Sequence, residues 1–213
     1  MTKPRVLLAD DHRMVTDGLT RLLGDEFELV GVVENGHDMV RAARALRPDI
    51  IVADISMPLL NGIDALSQLK ADNPGIKVVM LTMHHDARYA RRALEAGAAG
   101  YVLKHSAHAE LVMAIRAALD GKTFVAPALS AEVFQMAKRA PAESSDPIQS
   151  ITMRQREILQ LLAEGNSAKI IAQSLGISAR TVEFHKYSMM ETFHLRSSAE
   201  LVLFGIKRGI VSV

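Results

Sequence analysis

The sequence predicts an α/β fold: a doubly wound five-stranded parallel sheet, followed by an all-α domain. Short runs rich in Val, Ile and Leu occupy residues 5–10, 27–34, 49–54, 77–82 and 100–103. Segments of helical periodicity lie between and after them, at residues 12–23, 37–46, 62–72, 86–96 and 107–119. Because the strand-like runs are apolar almost throughout, they indicate a sheet that helices cover on both faces.

The second part begins after a linker-like stretch, KRAPAESSDPIQS at residues 138–150, which is rich in Pro, Ser and Ala. Strand-like runs are absent from the sequence beyond it. Four short helical segments follow, at residues 153–164, 168–175, 179–193 and 197–208. We therefore predict a first domain at residues 1–125, a connecting helix and linker at 126–149, and a second domain at 150–213.

Composition narrows the classes of protein that need to be considered. The chain has 213 residues, 49% of them hydrophobic, which is enough to bury a core. It has no cysteine, so disulfides and thiolate metal sites are excluded. The start of the sequence does not resemble a signal peptide, and no apolar run is long enough to span a bilayer. We therefore expect a cytoplasmic protein with no membrane partner, and the net charge of +1 favours no particular ligand.

Polar residues stand where the predicted strands end. Asp10 and Asp11 end the first, Asp54 ends the third, Thr82 ends the fourth, and Lys104 follows the fifth. Ligands of open α/β sheets bind at the carboxyl ends of the strands, so these side chains should meet. Three carboxylates together favour a hard divalent cation such as Mg²⁺, and a lysine with a hydroxyl suits a phosphoryl group. A carboxylate in this place can itself accept phosphate.

Two other interpretations of these residues remain to be weighed. Taken singly, an Asp that closes a strand is ordinarily a turn former, and Thr82 could cap a helix. As a set, the residues could also belong to a hydrolase that turns over an aspartyl-phosphate. Such enzymes typically carry a second Asp two residues after the nucleophile, but Ser56 occupies that position here. The sequence therefore favours a phosphoacceptor protein that is not an enzyme.

Residues 5–120 resemble the receiver domain of two-component response regulators, which has a flavodoxin-like fold. The motifs that carry the resemblance are Asp10-Asp11, the run from Asp54 to Pro58 with Asn61-Gly62, Thr82, Tyr101 and Lys104. The resemblance implies that Asp54 accepts phosphate from a sensor histidine kinase and that Lys104 pairs with the phosphoryl oxygens. It implies that Thr82 and Tyr101 change position on phosphorylation. It also implies a Mg²⁺ site formed by Asp10, Asp11, Asp54 and the backbone carbonyl of Ser56.

Three individual positions also matter within this resemblance. The family usually has proline after the lysine, where this chain has His105. In receiver domains, the positions of Ser56 and His84 influence dephosphorylation by water.

The second domain contains the stretch SAKIIAQSLGISARTVEFHKYSMM, residues 167–190. Gly176 can end one helix and Ser178 can cap the next. Two short helices joined by a tight glycine turn are typical of a helix-turn-helix, whose second helix enters the major groove of DNA. An ordinary helical hairpin has the same pattern. The predicted apolar seam consists of Ile170, Ile171, Leu175, Ile177 and Val182.

The wider stretch 150–208 resembles the LuxR-type helix-turn-helix domain at Arg154, Glu157, Gly165, Ala172, Leu175, Thr181, Val182 and His185. Together with a receiver domain, this implies a response regulator of the NarL/FixJ type, which binds promoter DNA under the control of phosphorylation. A homodimer would bind an inverted repeat. The alternative is a receiver-controlled module whose helical half binds protein.

The predicted second helix of the motif offers several candidate DNA contacts. We expect Glu183 and Phe184 to carry sequence preference, through cytosine N4 and a thymine methyl group. The remaining candidates, mainly for phosphate contact and general affinity, are Arg180, Thr181, Lys186 and Tyr187.

The last predicted helix, at 197–208, has an apolar face formed by Ala199, Val202, Leu203 and Ile206. This face could supply a dimer contact or could simply pack in the core.

Overall fold

The computed structural model of the chain describes residues 2–138, 151–208 and 211, and it divides into two compact units, Met1–Ala140 and Pro141–Val213. The first unit is built on a parallel sheet. Its strands are β1 (Arg5–Ala9), β2 (Glu28–Val33), β3 (Ile50–Ala53), β4 (Val78–Thr82), β5 (Gly100–Leu103) and β6 (Phe124–Val125). They lie in the order β2-β1-β3-β4-β5-β6, and every neighbouring pair is parallel.

Helices cover both faces of this sheet, as the apolar strands predict. They are α1 (Arg13–Leu23), α2 (Gly36–Leu46), α3 (Gly62–Asp72), α4 (Ala87–Glu95), α5 (Ala107–Leu119) and α6 (Pro127–Lys138). Successive residues of a strand point to opposite faces, so Leu7 belongs to the cluster under α2, α3, α4 and α6, whereas Leu8 belongs to the cluster under α1 and α5. The doubly wound α/β prediction is confirmed.

The sheet has one strand more than the five that the sequence predicts. In β6, two residues pair with β5, Phe124 with Gly100 and Val125 with Tyr101. A run of two residues has no measurable periodicity, so only the tertiary pairing reveals it. The helix that follows, α6, buries Leu129 and Val133 against the sheet.

The loop from β3 to α3 requires both Asn61 and Gly62. The side chain of Asn61 caps α3 by accepting a hydrogen bond from the Asp64 amide at 2.9 Å. At Gly62 a Cβ atom would lie 2.1 Å from the carbonyl oxygen of Asp54, which no side chain allows. The loop therefore folds back tightly on the end of β3 and fixes the backbone around Asp54.

The second unit is all-helical in the residues described, with α7 (Met153–Ala163), α8 (Ala168–Leu175), α9 (Ala179–Thr192) and α10 (Ser198–Lys207). Gly176 ends α8 in the left-handed region, with φ of 64°. Ser178 caps α9 by accepting from the Thr181 amide at 3.0 Å. The predicted seam is buried at Ile171 and Val182, but it is wrong for Ile170, which is 50% exposed because its neighbour takes the inward position.

Three further features concern the linker, the Lys104–His105 peptide bond and the apolarity of the helices. The predicted linker lies almost wholly outside the described residues. The peptide bond from Lys104 to His105 is trans. No helix in the described part of the chain combines the length and apolarity that crossing a membrane requires.

Candidate functional site

Two buried carboxylates and a lysine meet at the carboxyl edge of the sheet. Asp10 follows β1, Asp54 follows β3 and Lys104 follows β5. The Lys104 ammonium lies 2.7 Å from Asp10 Oδ2 and 2.8 Å from Asp54 Oδ2. Both carboxylate side chains are only 3% exposed, and that of Lys104 is 8% exposed. One cation therefore serves two carboxylates in a place where water screens charge poorly.

Burial and pairing act in opposite directions on the ionisation of these groups. Burial raises the pKa of Asp54 above its usual value, although the ammonium of Lys104 and the backbone amide of Ser56 oppose the rise. For Lys104, burial alone would lower the pKa, but the hydrogen bonds to Asp10 and Asp54 outweigh it and the pKa is raised. The lysine therefore stays protonated, and its single ammonium faces two carboxyl groups.

The acidic group extends to the adjacent loop. Ligand atoms of Asp10, Asp11, His12 and Asp54 all lie within 4.8 Å of one another. The Nδ1 atom of His12 lies 2.8 Å from Asp11 Oδ1 and 3.2 Å from Asp10 Oδ1. Asp54 Oδ1 is buried and accepts no hydrogen bond of normal geometry from the described residues. A buried carboxylate oxygen that lacks a well-formed hydrogen bond, beside two further carboxylates, fits a hard divalent cation such as Mg²⁺ or an incoming phosphoryl group.

On the other side of Asp54, His84 contacts several residues of the site. From the sequence it is predicted only as a position that influences dephosphorylation. Its Nε2 atom lies 2.7 Å from the Ser56 hydroxyl. Its backbone amide donates to the Thr82 hydroxyl at 3.2 Å, and its carbonyl accepts from the Tyr101 hydroxyl at 2.9 Å. Its ring stacks on Tyr89, with 4.3 Å between centroids. One loop residue therefore contacts both predicted switch residues.

Thr82 and Tyr101 both lie inside the fold, each with 0% exposure. Burial is the main cause that raises the pKa of Tyr101, so its hydroxyl stays protonated and can donate to His84. Burial likewise lowers the pKa of His84, although the nearby carboxylate of Asp54 opposes this. The structure thus brings together Asp10, Asp11, Asp54, Ser56, Thr82, Tyr101 and Lys104 around one edge of the sheet.

The candidate DNA-contacting residues on α9 differ in accessibility. Phe184 is 67% exposed and Tyr187 is 61% exposed, and Arg180 is also exposed. The hydroxyl of Thr181 is 2.8 Å from that of its cap, Ser178. On the other side of this helix, Val182 and Met189 are buried in the core.

Glu183 and Lys186 form an ion pair one helical turn apart. The side chain of Lys186 is only 15% exposed, against 38% for Glu183. The Lys186 ammonium also lies 5.1 Å from the centre of the Tyr187 ring. The sequence pattern predicts these two charged residues as independent DNA contacts, whereas in the structure they are paired with each other.

The apolar face of α10 lies mostly on the surface. Leu203 is 54% exposed and Ile206 is 37% exposed, while Leu201 and Gly205 face the core. The sequence leaves open whether this face forms a dimer contact or packs in the core. Core packing does not apply to Leu203 and Ile206, because both are exposed.

The chain matches two families of known proteins. Residues 6–116 match the response regulator receiver domain, and residues 149–204 match the bacterial regulatory proteins of the luxR family. Among full-length relatives, the response regulator GacA of Pseudomonas aeruginosa is 32% identical over 209 residues, 97% of each chain. The oxygen regulatory protein NreC of Staphylococcus epidermidis is 34% identical over 215 residues, covering 97% of this chain and 99% of NreC.

Solved structures agree with this assignment. A LuxR-family response regulator from Aurantimonas is 33% identical, with a TM-score of 0.62 over 65% of this chain and 100% of that one. The response regulator RcsB in complex with DNA is 25% identical, with a TM-score of 0.59 over 95% of this chain and 98% of RcsB. The chain belongs to the response regulators of the NarL/FixJ type, and it is a DNA-binding transcription regulator controlled by phosphorylation.

Proposed function

We propose that Asp54 is the phosphoacceptor and that a sensor histidine kinase is the donor. The observation that carries this proposal is the buried Oδ1 atom of Asp54, which no hydrogen bond of normal geometry occupies. In the transfer, this oxygen attacks phosphorus as the bond from phosphorus to the kinase's imidazole nitrogen breaks. The electron pair leaves with the imidazole, and an acyl phosphate forms on Asp54.

The neighbouring residues prepare this step. Lys104 is held within 2.8 Å of Asp54 Oδ2, where its charge can stabilise the phosphoryl oxygens. Asp10, Asp11, Asp54 and the backbone carbonyl of Ser56 would hold Mg²⁺. When bound, Mg²⁺ supplies the positive charge that phosphoryl oxygens and these carboxylates require together. Because Ser56 occupies the position at which aspartyl-phosphate hydrolases carry an acid/base, we propose no turnover of small phosphoesters.

Phosphorylation would act through Thr82 and Tyr101. The added phosphoryl oxygens are strong acceptors for the Thr82 hydroxyl, which at present accepts from the His84 amide. A shift of Thr82 would disturb His84 and thereby the hydrogen bond from Tyr101 to the His84 carbonyl. The two arrangements of this loop would then differ in stability, so phosphate shifts their populations.

The second domain would bind promoter DNA in the cytoplasm. The helix-turn-helix of α8 and α9 presents Arg180, Phe184 and Tyr187 on an exposed face. We propose that a homodimer forms on phosphorylation and binds an inverted repeat, with the exposed face of α10 as the dimer contact. Leu203 and Ile206 support this contact because they form an apolar surface.

The experiment for the acceptor compares the full chain with Asp54→Asn after incubation with acetyl phosphate and Mg²⁺. Asp120→Asn is the matched control, because Asp120 is exposed and lies outside the site. Intact mass spectrometry should show one added phosphoryl group, labile to alkali, on the wild type and on Asp120→Asn but not on Asp54→Asn. An acyl phosphate that persists on Asp54→Asn, with its fold intact by circular dichroism, would contradict the assignment.

A further inference from the structure

Helix α9, the second helix of the helix-turn-helix and here called the recognition helix, carries no formal net charge. Its cations are Arg180 and Lys186, and its anions are Glu183 and Glu191, with His185 neutral. Nonspecific affinity for DNA depends almost wholly on cations that replace the counterions of phosphates. A cation that is already neutralised by its own helix contributes less to this affinity.

Lys186 is such a cation. It pairs with Glu183, which precedes it by three residues on the same face. Its ammonium also lies over the ring of Tyr187 at 5.1 Å, and its side chain is only 15% exposed. By contrast, Arg180 is exposed and has no ion-pair partner in the described part of the chain. The helix therefore offers one free cation to phosphates rather than two.

We infer that Glu183 suppresses nonspecific DNA binding by holding Lys186 in this ion pair. Glu183 thus lowers the affinity of the regulator for arbitrary sequence and leaves contacts to base edges to the exposed aromatic residues of the helix. Weaker binding to arbitrary DNA sequences improves the selectivity for the target sequence. This inference rests on the proposed contact of α9 with DNA.

The test uses the full chain, treated with acetyl phosphate and Mg²⁺, and a short fluorescein-labelled DNA duplex of arbitrary mixed sequence. Fluorescence anisotropy is measured between about 0.05 and 0.2 M salt. In Glu183→Gln the lysine is released, so the slope of log affinity against log salt should steepen by about 0.9. One additional phosphate contact should tighten binding roughly fivefold at about 0.15 M salt.

Two variants show whether the ion pair itself is responsible. Glu191→Gln removes the same charge from the same helix, but Glu191 is exposed near the end of α9 and forms no ion pair among the described residues. It should change the slope by far less than Glu183→Gln. Adding Lys186→Gln to Glu183→Gln should abolish the gain, because the released cation is then missing. Circular dichroism confirms that each variant is folded.

The outcomes separate this inference from the proposed function. The wild type is also titrated with duplexes that it selects from a random-sequence pool. If it binds these and Glu183→Gln differs no more than Glu191→Gln on arbitrary DNA, the inference is overturned while the DNA-binding function stands. The inference is also overturned if Glu183→Gln tightens binding to arbitrary DNA equally in the presence of Lys186 and in the presence of Lys186→Gln. If the wild type binds no duplex at all, both fail.

Discussion

Lys104 should contribute strongly to the stability of the receiver domain in the absence of metal. Its ammonium lies within 2.8 Å of two carboxylates that are each 3% exposed. Replacement by Met keeps much of the aliphatic volume but leaves Asp10 and Asp54 without a cation. Removal of one partner from a buried ion pair typically costs about 3–5 kcal/mol, because the remaining charge stays desolvated.

We expect Lys104→Met to lower the free energy of unfolding by about 3 kcal/mol in chelator, at the lower end of that range since Asp54 can take up a proton. For a domain of this size the loss corresponds to a melting temperature lower by roughly 10 °C. Differential scanning calorimetry of the full chain measures it, and the transition that Mg²⁺ shifts is the one that belongs to the receiver domain. Added Mg²⁺ should restore part of the loss, because it replaces the missing positive charge.

Two variants control for the loss of packing. Lys122 lies 4.0 Å from Asp120, and both side chains are largely exposed. Lys122→Met should therefore lower the free energy of unfolding by less than about 0.5 kcal/mol. The double variant Lys104→Met with Asp54→Asn should recover part of the loss, since the buried carboxyl group that lacks its cation is gone. Two results would show that Lys104 does not act by stabilising buried charge. One is an equal melting temperature for Lys104→Met and the wild type in chelator, and the other is a double variant no more stable than Lys104→Met.

Two further predictions concern phosphorylation. Labelling by acetyl phosphate should require Mg²⁺ or Mn²⁺ and stop in excess chelator, and Asp11→Ala should need a higher metal concentration; equal labelling in chelator would refute the metal site. In His84→Ala the hydrogen bond to Ser56 is lost and water gains access to the phosphoryl group, so the phosphorylated protein should decay several-fold faster than the matched control His85→Ala. Identical decay of the two variants would show that His84 does not shield the phosphate.

The sequence predicted the elements well where local chemistry determines them. Helix α3 and helix α8 begin and end at the predicted residues, because Asn61 and Ser167 supply the caps and Gly176 takes the left-handed conformation. The edge of the sheet was predictable for a different reason. Parallel strands end at the same edge, so Asp10, Asp54 and Lys104 are all expected there. Because β3 and β4 separate β1 from β5, only the structure shows that Lys104 reaches Asp10.

Other features depend on tertiary contacts that spacing does not reveal. The pairing of β6 places Val125 beside Tyr101, a partner 24 residues away in the chain. The contact of His12 with Asp10 and Asp11 depends on the course of the loop after β1, although their adjacency in the sequence was a visible signal. Glu183 and Lys186 have the spacing of a helical ion pair, but spacing alone does not exclude that each turns toward DNA instead.

The strand and helix that follow α5 bring the predicted switch residue into contact with the connecting segment. The Tyr101 carbonyl accepts a hydrogen bond from the Ala126 amide at 2.9 Å, at the point where β6 leads into α6. Tyr101 also belongs to the same core cluster as Leu129 and Val133 of α6. Cores are packed too densely to accommodate a moved aromatic side chain without rearrangement of its neighbours. A displacement of Tyr101 on phosphorylation would therefore change the packing of α6, the helix from which the chain continues toward the DNA-binding domain.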